Sequence, residues 1–482
     1  MPLKILFATS EMAPWVKTGG LGDVAAALPA ALRAARQDVR VLIPYYPALR
    51  TAFPQAELLA ALPALAPGLP PARLLGAKSD GLPLFLLDCP ELYDRPGSPY
   101  VDQRGQDWGD NAIRFGLLSR VAATLGQPWS PLEWRPDVVH ANDWQTALSA
   151  AYLHYGGGAA SVVTIHNIAF QGNFGWDMLH KLGLPEHAWA FDGVEYHGHL
   201  SFLKAGLQFA TRLSTVSPTY AAEIRDEAFG YGLAPLLRYR AGHLFGILNG
   251  VDTRQWNPAT DPALAANYSA GRLAGKRQNK AALQRQLGLE ARDDLPLFGV
   301  VSRLTEQKGL DFVLALGERL AALPAQLALL GSGDAAMEAG FGALAQAHPE
   351  KVSVTLGFNE ALAHRIEAGA DIFLMPSRFE PCGLNQMYSV AYGTPPIVRA
   401  TGGLADTVVD ATPETLADGS ANGFVFTTPS AAALWETMGR AAECWQDRKL
   451  WRRLQQNGMR RDFSWKPAAR EYIALYKEAV AG

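Results

Sequence analysis

Short apolar, β-branched runs alternate with longer Ala- and Leu-rich stretches along most of the chain, the pattern of repeated βαβ units around parallel sheets. In the first half the runs Lys4–Thr9, Asp38–Ile43, Leu84–Leu87, Asp137–His140, Ser161–Ile165, Leu213–Val216 and Phe245–Leu248 read as strands. Several lack a polar face, as strands covered on both sides do. Leu21–Arg36 and Asn111–Leu125 read as helices between them, and Pro29 inside the first predicts a kink or a boundary. After Asn249 the pattern pauses. The polar segment Thr253–Asp294, with Trp256-Asn257-Pro258 and a charged helix Lys276–Leu287 near its end, reads as a linker. A second series follows with Leu297–Ser302, Leu327–Leu330, Val352–Leu356, Asp371–Met375, Pro396–Val398 and Gly423–Phe426. The pattern predicts two doubly wound, Rossmann-like α/β domains, residues 1–250 and 251–462. The helical tail 463–482 suits either domain and could cross back to the first.

Composition narrows the class. A chain of 482 residues with 49% hydrophobic and 18% charged positions is built like an ordinary globular enzyme of two to three domains. A net charge of −3 gives no basic field, so no nucleic-acid partner is expected. Cys89, Cys382 and Cys444 are scattered, without the spacing of a metal site or a disulfide framework, which suits a reducing compartment. No signal or transit segment precedes the first strand and no apolar run reaches membrane-spanning length. The expectation is a cytoplasmic protein without a membrane partner.

Ligands of open α/β sheets bind beyond the carboxyl ends of the strands, and the unusual residues of this chain fall there. Lys17-Thr18-Gly19-Gly20-Leu21-Gly22-Asp23 follows the first strand; Asn142-Asp143-Trp144, His166-Asn167 and Asn249-Gly250 follow later ones. In the second series the positions are Arg303 to Gly309, Gly331 to Asp334, Pro376 to Leu384 and Thr401 to Leu404. The Lys17–Asp23 loop joins a cation to a glycine pair at a helix start, which suits a diphosphate, although a turn packing helix on strand has the same composition. Its spacing is neither that of a Walker loop nor of the usual dinucleotide fingerprint. Arg303 and Lys308, five residues apart after a strand, could together offset charge on a leaving diphosphate, as a metal does elsewhere, or could be a solvated charge run. Glu380 reads as a carboxylate facing a ligand hydroxyl or as a plain acid at a helix start. Cys382 reads as a small buried residue rather than a catalytic thiol. His166 suits a general base or a satisfied, half-buried imidazole, and Asp143 with Trp144 suits a sugar.

The set and its order resemble the glycogen synthase and starch synthase family. Lys17 to Asp23, the His166-Asn167 pair, Ser302 to Gly309, Ser377 to Leu384 and Thr401 to Leu404 carry the resemblance. It extends over nearly the whole chain through Leu92 to Tyr100, Ser201 to Gly206 and Asp462 to Trp465. The resemblance implies the GT-B architecture, two Rossmann-like domains facing across a cleft, with the acceptor mainly on the first and the donor mainly on the second. It implies retaining transfer of glucose from ADP-glucose to the 4-hydroxyl end of an α-1,4-glucan such as glycogen. Lys17, Gly19 and Gly20 would contact the donor, and Arg303 and Lys308 would hold its phosphates. Glu380 would bind glucosyl hydroxyls, and His166 would bracket the reacting carbon. Asp23, Asp143 and Asn249 would complete the sugar site, and Phe358 would flank the donor base. Cys382, Gly383, Leu384, Thr401, Gly402 and Gly403 would complete the donor loops.

Front-face displacement is implied, with no protein nucleophile, no metal and no cofactor. Three positions depart from the resembling sequences: Asn142 replaces a common His, Phe358 a Tyr, and Tyr388 the second glutamate of many GT-B enzymes. A related enzyme using UDP-glucose and a non-catalytic glucan-binding scaffold are the alternatives. A glucan phosphorylase would need a pyridoxal phosphate lysine, for which the late loops offer no convincing candidate.

Overall fold

The computed structural model describes residues 2–482. They form two compact units: residues up to Gly250 together with Trp465–Gly482, and Val251–Ser464.

The first unit is built on a nine-stranded sheet. Lys4–Ala8 lies at its centre, parallel to Asp38–Pro44 on one side and Val138–Asn142 on the other. Beyond Val138–Asn142 follow Ala160–Ile165, Arg212–Thr215 and Leu244–Gly246, all parallel. The other wing runs through Leu82–Asp88 to Ala72–Ser79 and Glu57–Leu62, where pairing turns antiparallel. Ile5, Leu6 and Phe7 are fully buried, as a central strand covered by helices on both faces must be. The helix Trp465–Ala481 belongs to this unit and sinks Trp465, Tyr472, Leu475 and Tyr476 into the same core.

The second unit carries a six-stranded parallel sheet in the order Val352–Leu356, Gln326–Gly331, Leu297–Val301, Ile372–Met375, Pro396–Arg399, Phe424–Phe426. In each sheet the winding reverses beside the first strand: between Lys4–Ala8 and Val138–Asn142, and between Leu297–Val301 and Ile372–Met375. Loops leaving those strands diverge there, opening the crevice where doubly wound sheets bind ligands.

Two expectations need correction, and two strands went unread. The helix Gly20–Ala34 runs through Pro29 without ending, so the proline marks no boundary; its ring is buried on the core side. The segment read as a linker is part of the second unit. Its helix, Ala274–Gln286, is held by polar groups. Lys276 Nζ donates to Thr394 Oγ1 at 2.5 Å and Ala368 O at 2.9 Å, and Lys280 pairs with Asp371 at 2.7 Å. Burial lowers the Lys276 ammonium to about 7. The antiparallel strands Glu57–Leu62 and Ala72–Ser79 were not anticipated, because the first leaves Leu58 and Leu59 exposed and lacks a clean alternation.

Candidate active site

In the first unit the Lys17–Asp23 loop and Asp143 follow the two strands that flank the reversal point, while His166 and Asn249 follow strands farther along the same wing. Glu11, 3% exposed, follows the central strand and is the anchor of the glycine loop. Its carboxylate accepts hydrogen bonds from Thr18 N at 2.7 Å, Thr18 Oγ1 at 2.5 Å, Gly19 N at 3.2 Å and Tyr100 OH at 2.6 Å. The Leu92–Tyr100 segment is fixed in turn by the buried Arg114, which donates to Leu92 O and Pro99 O. So the two motifs are one construction. Lys17 Nζ reaches Asp23 Oδ1 at 2.7 Å on the exposed side of the loop. A Cβ at Gly19 or Gly20 would meet no protein atom within 4 Å, and neither has a positive φ. Protein packing does not require glycine there, and the bare backbone leaves room for a ligand to approach.

Asp143, at φ 56°, accepts from His166 N at 2.7 Å and Asn167 N at 3.3 Å through Oδ1. Burial pushes its carboxyl up to about 7 against those two amides. Asp143 therefore shapes the His166 loop through Oδ1. His166 Nε2 lies 2.9 Å from Asn142 Oδ1, and burial lowers its imidazole to about 3, so the ring is neutral near pH 7. Asn249, after the edge strand Leu244–Gly246, has a buried Oδ1 with no hydrogen-bond partner. A buried acceptor left unpaired is costly unless a ligand satisfies it.

In the second unit Lys308 Nζ donates to Glu380 Oε2 at 2.5 Å, with both groups largely buried. Ser377 Oγ donates to the same oxygen at 3.1 Å. Glu380 is not a helix-start acid: it sits in the loop five positions before the helix Asn385–Ala391. Arg378 laces the two motifs together, donating to Asp311 at 2.6 and 2.7 Å while its backbone N–H bonds Gln307 O at 2.8 Å. Arg303, in the same loop as Lys308, is exposed, and the Thr305 hydroxyl between them in sequence is buried without a partner.

Gly402 and Gly403 serve packing. A Cβ at Gly402 would stand 1.9 Å from Glu380 O, and one at Gly403 2.0 Å from Cys382 O. The Thr401–Leu404 turn thus presses on the backbone that carries Glu380. Cys382 is buried, as expected of a small packed residue. Gln386 Nε2 holds Cys382 O at 3.0 Å and Gly383 O at 3.1 Å, fixing the Gly383-Leu384 turn. Phe358, 86% exposed, stands apart on the loop after the edge strand Val352–Leu356. Glu11, Thr305 and Arg378 escaped the sequence reading. The available signal was position alone: Thr305 and Arg378 lie inside the strand-end motifs Arg303 to Gly309 and Pro376 to Leu384 but drew no role, and Glu11 follows the first strand just before the Lys17–Asp23 loop.

Residues 4–239 match the family described as starch synthase catalytic domain, and residues 286–461 match glycosyl transferases group 1. With the two doubly wound sheets, these matches define a two-domain α/β glycosyltransferase of the GT-B class. A glycogen synthase of Dechloromonas aromatica is 71% identical over 479 residues, covering 99% of both chains. One of Nitrosomonas eutropha is 54% identical, covering 98% of this chain and 96% of the relative. The chain belongs to the glycogen synthase family and is a glycosyltransferase of the glycogen and starch synthase type. Among solved structures, the catalytic domain of starch synthase IV from Arabidopsis thaliana, bound to ADP and acarbose, superimposes with a TM-score of 0.88 at 34% identity over the whole of both chains. A sucrose-phosphate synthase from Thermosynechococcus elongatus, at 19% identity, TM-score 0.60 and 99% coverage of both chains, shares the fold. No helix among the described residues is long and apolar enough to cross a membrane.

Proposed function

We propose that the chain transfers glucose from ADP-glucose to the non-reducing 4-hydroxyl of an α-1,4-glucan, with retention at the anomeric carbon. The observation that carries this reading is the Lys308–Glu380 pair at the reversal point of the second sheet, with exposed Arg303 in the same strand-end loop as Lys308. An ammonium has three donors, so Lys308 can keep Glu380 and still offer two to a phosphate. The ADP and acarbose carried by the starch synthase IV structure support an adenine nucleotide and a glucan-like acceptor.

In this reading the bond from the glucosyl C1 to the diphosphate oxygen breaks and a bond from C1 to the acceptor O4 forms on the same face. The acceptor proton passes to the leaving diphosphate, which departs as ADP, so no cofactor is called for. Arg303 and Lys308 stabilise the charge that develops on the diphosphate. Glu380 faces the glucosyl unit and favours positive charge on its ring, and the neutral His166 offers hydrogen bonds without adding charge. Gly19 and Gly20 present backbone amides, Asn249 Oδ1 accepts from a sugar hydroxyl, and Phe358 offers a ring to the base.

The test is incubation with radiolabelled ADP-glucose or UDP-glucose over a glycogen primer, with Glu380→Ala alongside. Incorporation from ADP-glucose, reduced about a hundredfold or more in the variant, is expected. No incorporation from either donor, or an undiminished variant, overturns the reading; preference for UDP-glucose overturns the donor assignment.

A further inference from the structure

We infer that Asn142 is a positioning residue that holds His166 as its Nε2–H tautomer and leaves Nδ1 as a bare acceptor for a hydroxyl of the donor sugar. The inference rests on the proposed function only in its last clause; the tautomer follows from the protein alone.

Asn142 ends the strand Val138–Asn142, is fully buried, and lies opposite Thr164 in the neighbouring strand. Its backbone is pinned twice by one side chain: Asn142 N donates to Thr146 Oγ1 at 2.6 Å, and Thr146 Oγ1 donates to Asn142 O at 2.9 Å. The side-chain amide has three polar neighbours. One end faces Ala8 O at 3.0 Å and His140 O at 3.5 Å; the other faces His166 Nε2 at 2.9 Å. Backbone carbonyls only accept, so the end facing them is the NH2 group and the end facing His166 is the carbonyl oxygen. Flipping the amide would set oxygen against oxygen and leave the NH2 without an acceptor at Ala8. An amide oxygen cannot donate, so Nε2 must carry the proton.

The second ring nitrogen follows. Desolvation of the His166 ring disfavours a second proton, and among the described residues its hydrogen bonds run through the backbone N–H and Nε2, with none at Nδ1. The titratable groups closest to the ring are Asp143, whose carboxyl takes the His166 backbone N–H, and His140 on the adjacent strand, itself fully buried and lowered to about 3. Asp143 turns Oδ1 to the backbone and bonds no ring atom, and both His140 nitrogens are taken up by Tyr476 OH and Thr164 Oγ1. A histidine at position 142, common in the resembling sequences, can donate or accept and would leave the tautomer open. Asparagine closes the choice, because its orientation is set by carbonyls that have no alternative role.

The test uses the full chain labelled with 15N in its histidines, with His166 signals identified by their loss in His166→Gln. At neutral pH the ligand-free protein should show a pyrrole-type Nε2 and a pyridine-type Nδ1 at His166. A protonated Nδ1 with a bare Nε2 overturns the inference without any variant having to fold. Asn142→Asp places a carboxylate against Nε2 and should draw a second proton onto the ring, so both nitrogens become pyrrole-type. Transfer from ADP-glucose should then fall roughly tenfold in kcat with glucan KM unchanged, and recover as pH is raised and Nδ1 is bared again. Unchanged ring signals in Asn142→Asp also overturn the inference. Ring signals that shift as stated while transfer stays intact uphold the tautomer and remove His166 from the proposed chemistry.

Discussion

Gly19 and Gly402 occupy loops of similar composition but face different neighbours, and substitution separates them. Alanine at Gly402 drives a Cβ to 1.9 Å from Glu380 O, so the turn or the Glu380 loop must move. Gly402→Ala should destabilise the second unit by about 2 kcal/mol and lose most transfer. Gly19→Ala meets no protein atom. Its stability should stay within about 0.5 kcal/mol of the parent while the donor KM rises about tenfold. Denaturant midpoints and donor titrations check both, and a stability loss in Gly19→Ala would return that loop to a packing role.

Asp143 gives a pH prediction. Its folded carboxyl titrates at about 7, above the roughly 4 of an unfolded aspartate. Between those values the folded state holds a proton that the unfolded state has lost, so this residue makes stability fall as pH rises from about 4 through about 7. Asp143→Asn keeps an oxygen for the His166 and Asn167 amides and removes the titration. Its unfolding free energy should decline less over that window, and a slope identical to the parent's would argue against a raised carboxyl. At this scale the motif residues Lys308 and Glu380 were legible, since charge and spacing announce them. Glu11 was not: a single buried acid shows its worth only when four donors converge on it, three from positions 7 and 8 residues along and one from Tyr100, 89 residues away.

Elements were read well where burial demands apolar residues and poorly where hydrogen bonds substitute for them. The parallel strands announced themselves because both faces are covered. The helix Ala274–Gln286 was read as a charged helix but taken for part of a linker, because Lys276, Asn279, Lys280 and Gln284 on its inner face bond backbone carbonyls that no hydropathy pattern reveals. The helix Trp465–Ala481 was visible as a helix, but its destination depends on partners remote in sequence. Tyr476 OH lies 2.7 Å from His140 Nδ1; His140 Nε2 lies 2.6 Å from Thr164 Oγ1, and that hydroxyl 2.6 Å from Ser214 Oγ. The chain of bonds ties the last helix to three strands of the first sheet. Tyr476→Phe strands a buried ring nitrogen, an effect worth about 1–3 kcal/mol in denaturant unfolding. A cost near zero would mean that apolar packing alone holds the helix.

The two crossings of the chain between units decide how the whole molecule can be taken apart. Val251 N donates to Phe463 O at 2.8 Å, and Val251 forms a parallel bridge with Ser464, so the ends of the second unit lie side by side. Gly250 and Trp465 must therefore also be close, each being one bond along the chain from that bridge. The segment 251–464 has its own sheet and core and needs no residue from the tail. Expressed alone it should unfold cooperatively. Residues 1–250 alone lack Trp465, Tyr472, Leu475 and Tyr476, all buried in the first unit's core, and should not reach a stable fold. Joining Gly250 to Trp465 through a short Gly-rich linker restores those residues at a small loop-closure cost and should restore cooperative unfolding. On the proposed function neither unit alone should transfer glucose, since that reading assigns roles to Lys17 and His166 of the first unit and to Arg303, Lys308 and Glu380 of the second. Thermal unfolding followed by circular dichroism checks the three pieces. A stable 1–250 fragment would show that the last helix is dispensable, whereas failure of the joined chain would show that the crossings hold more of the first unit than its core requires.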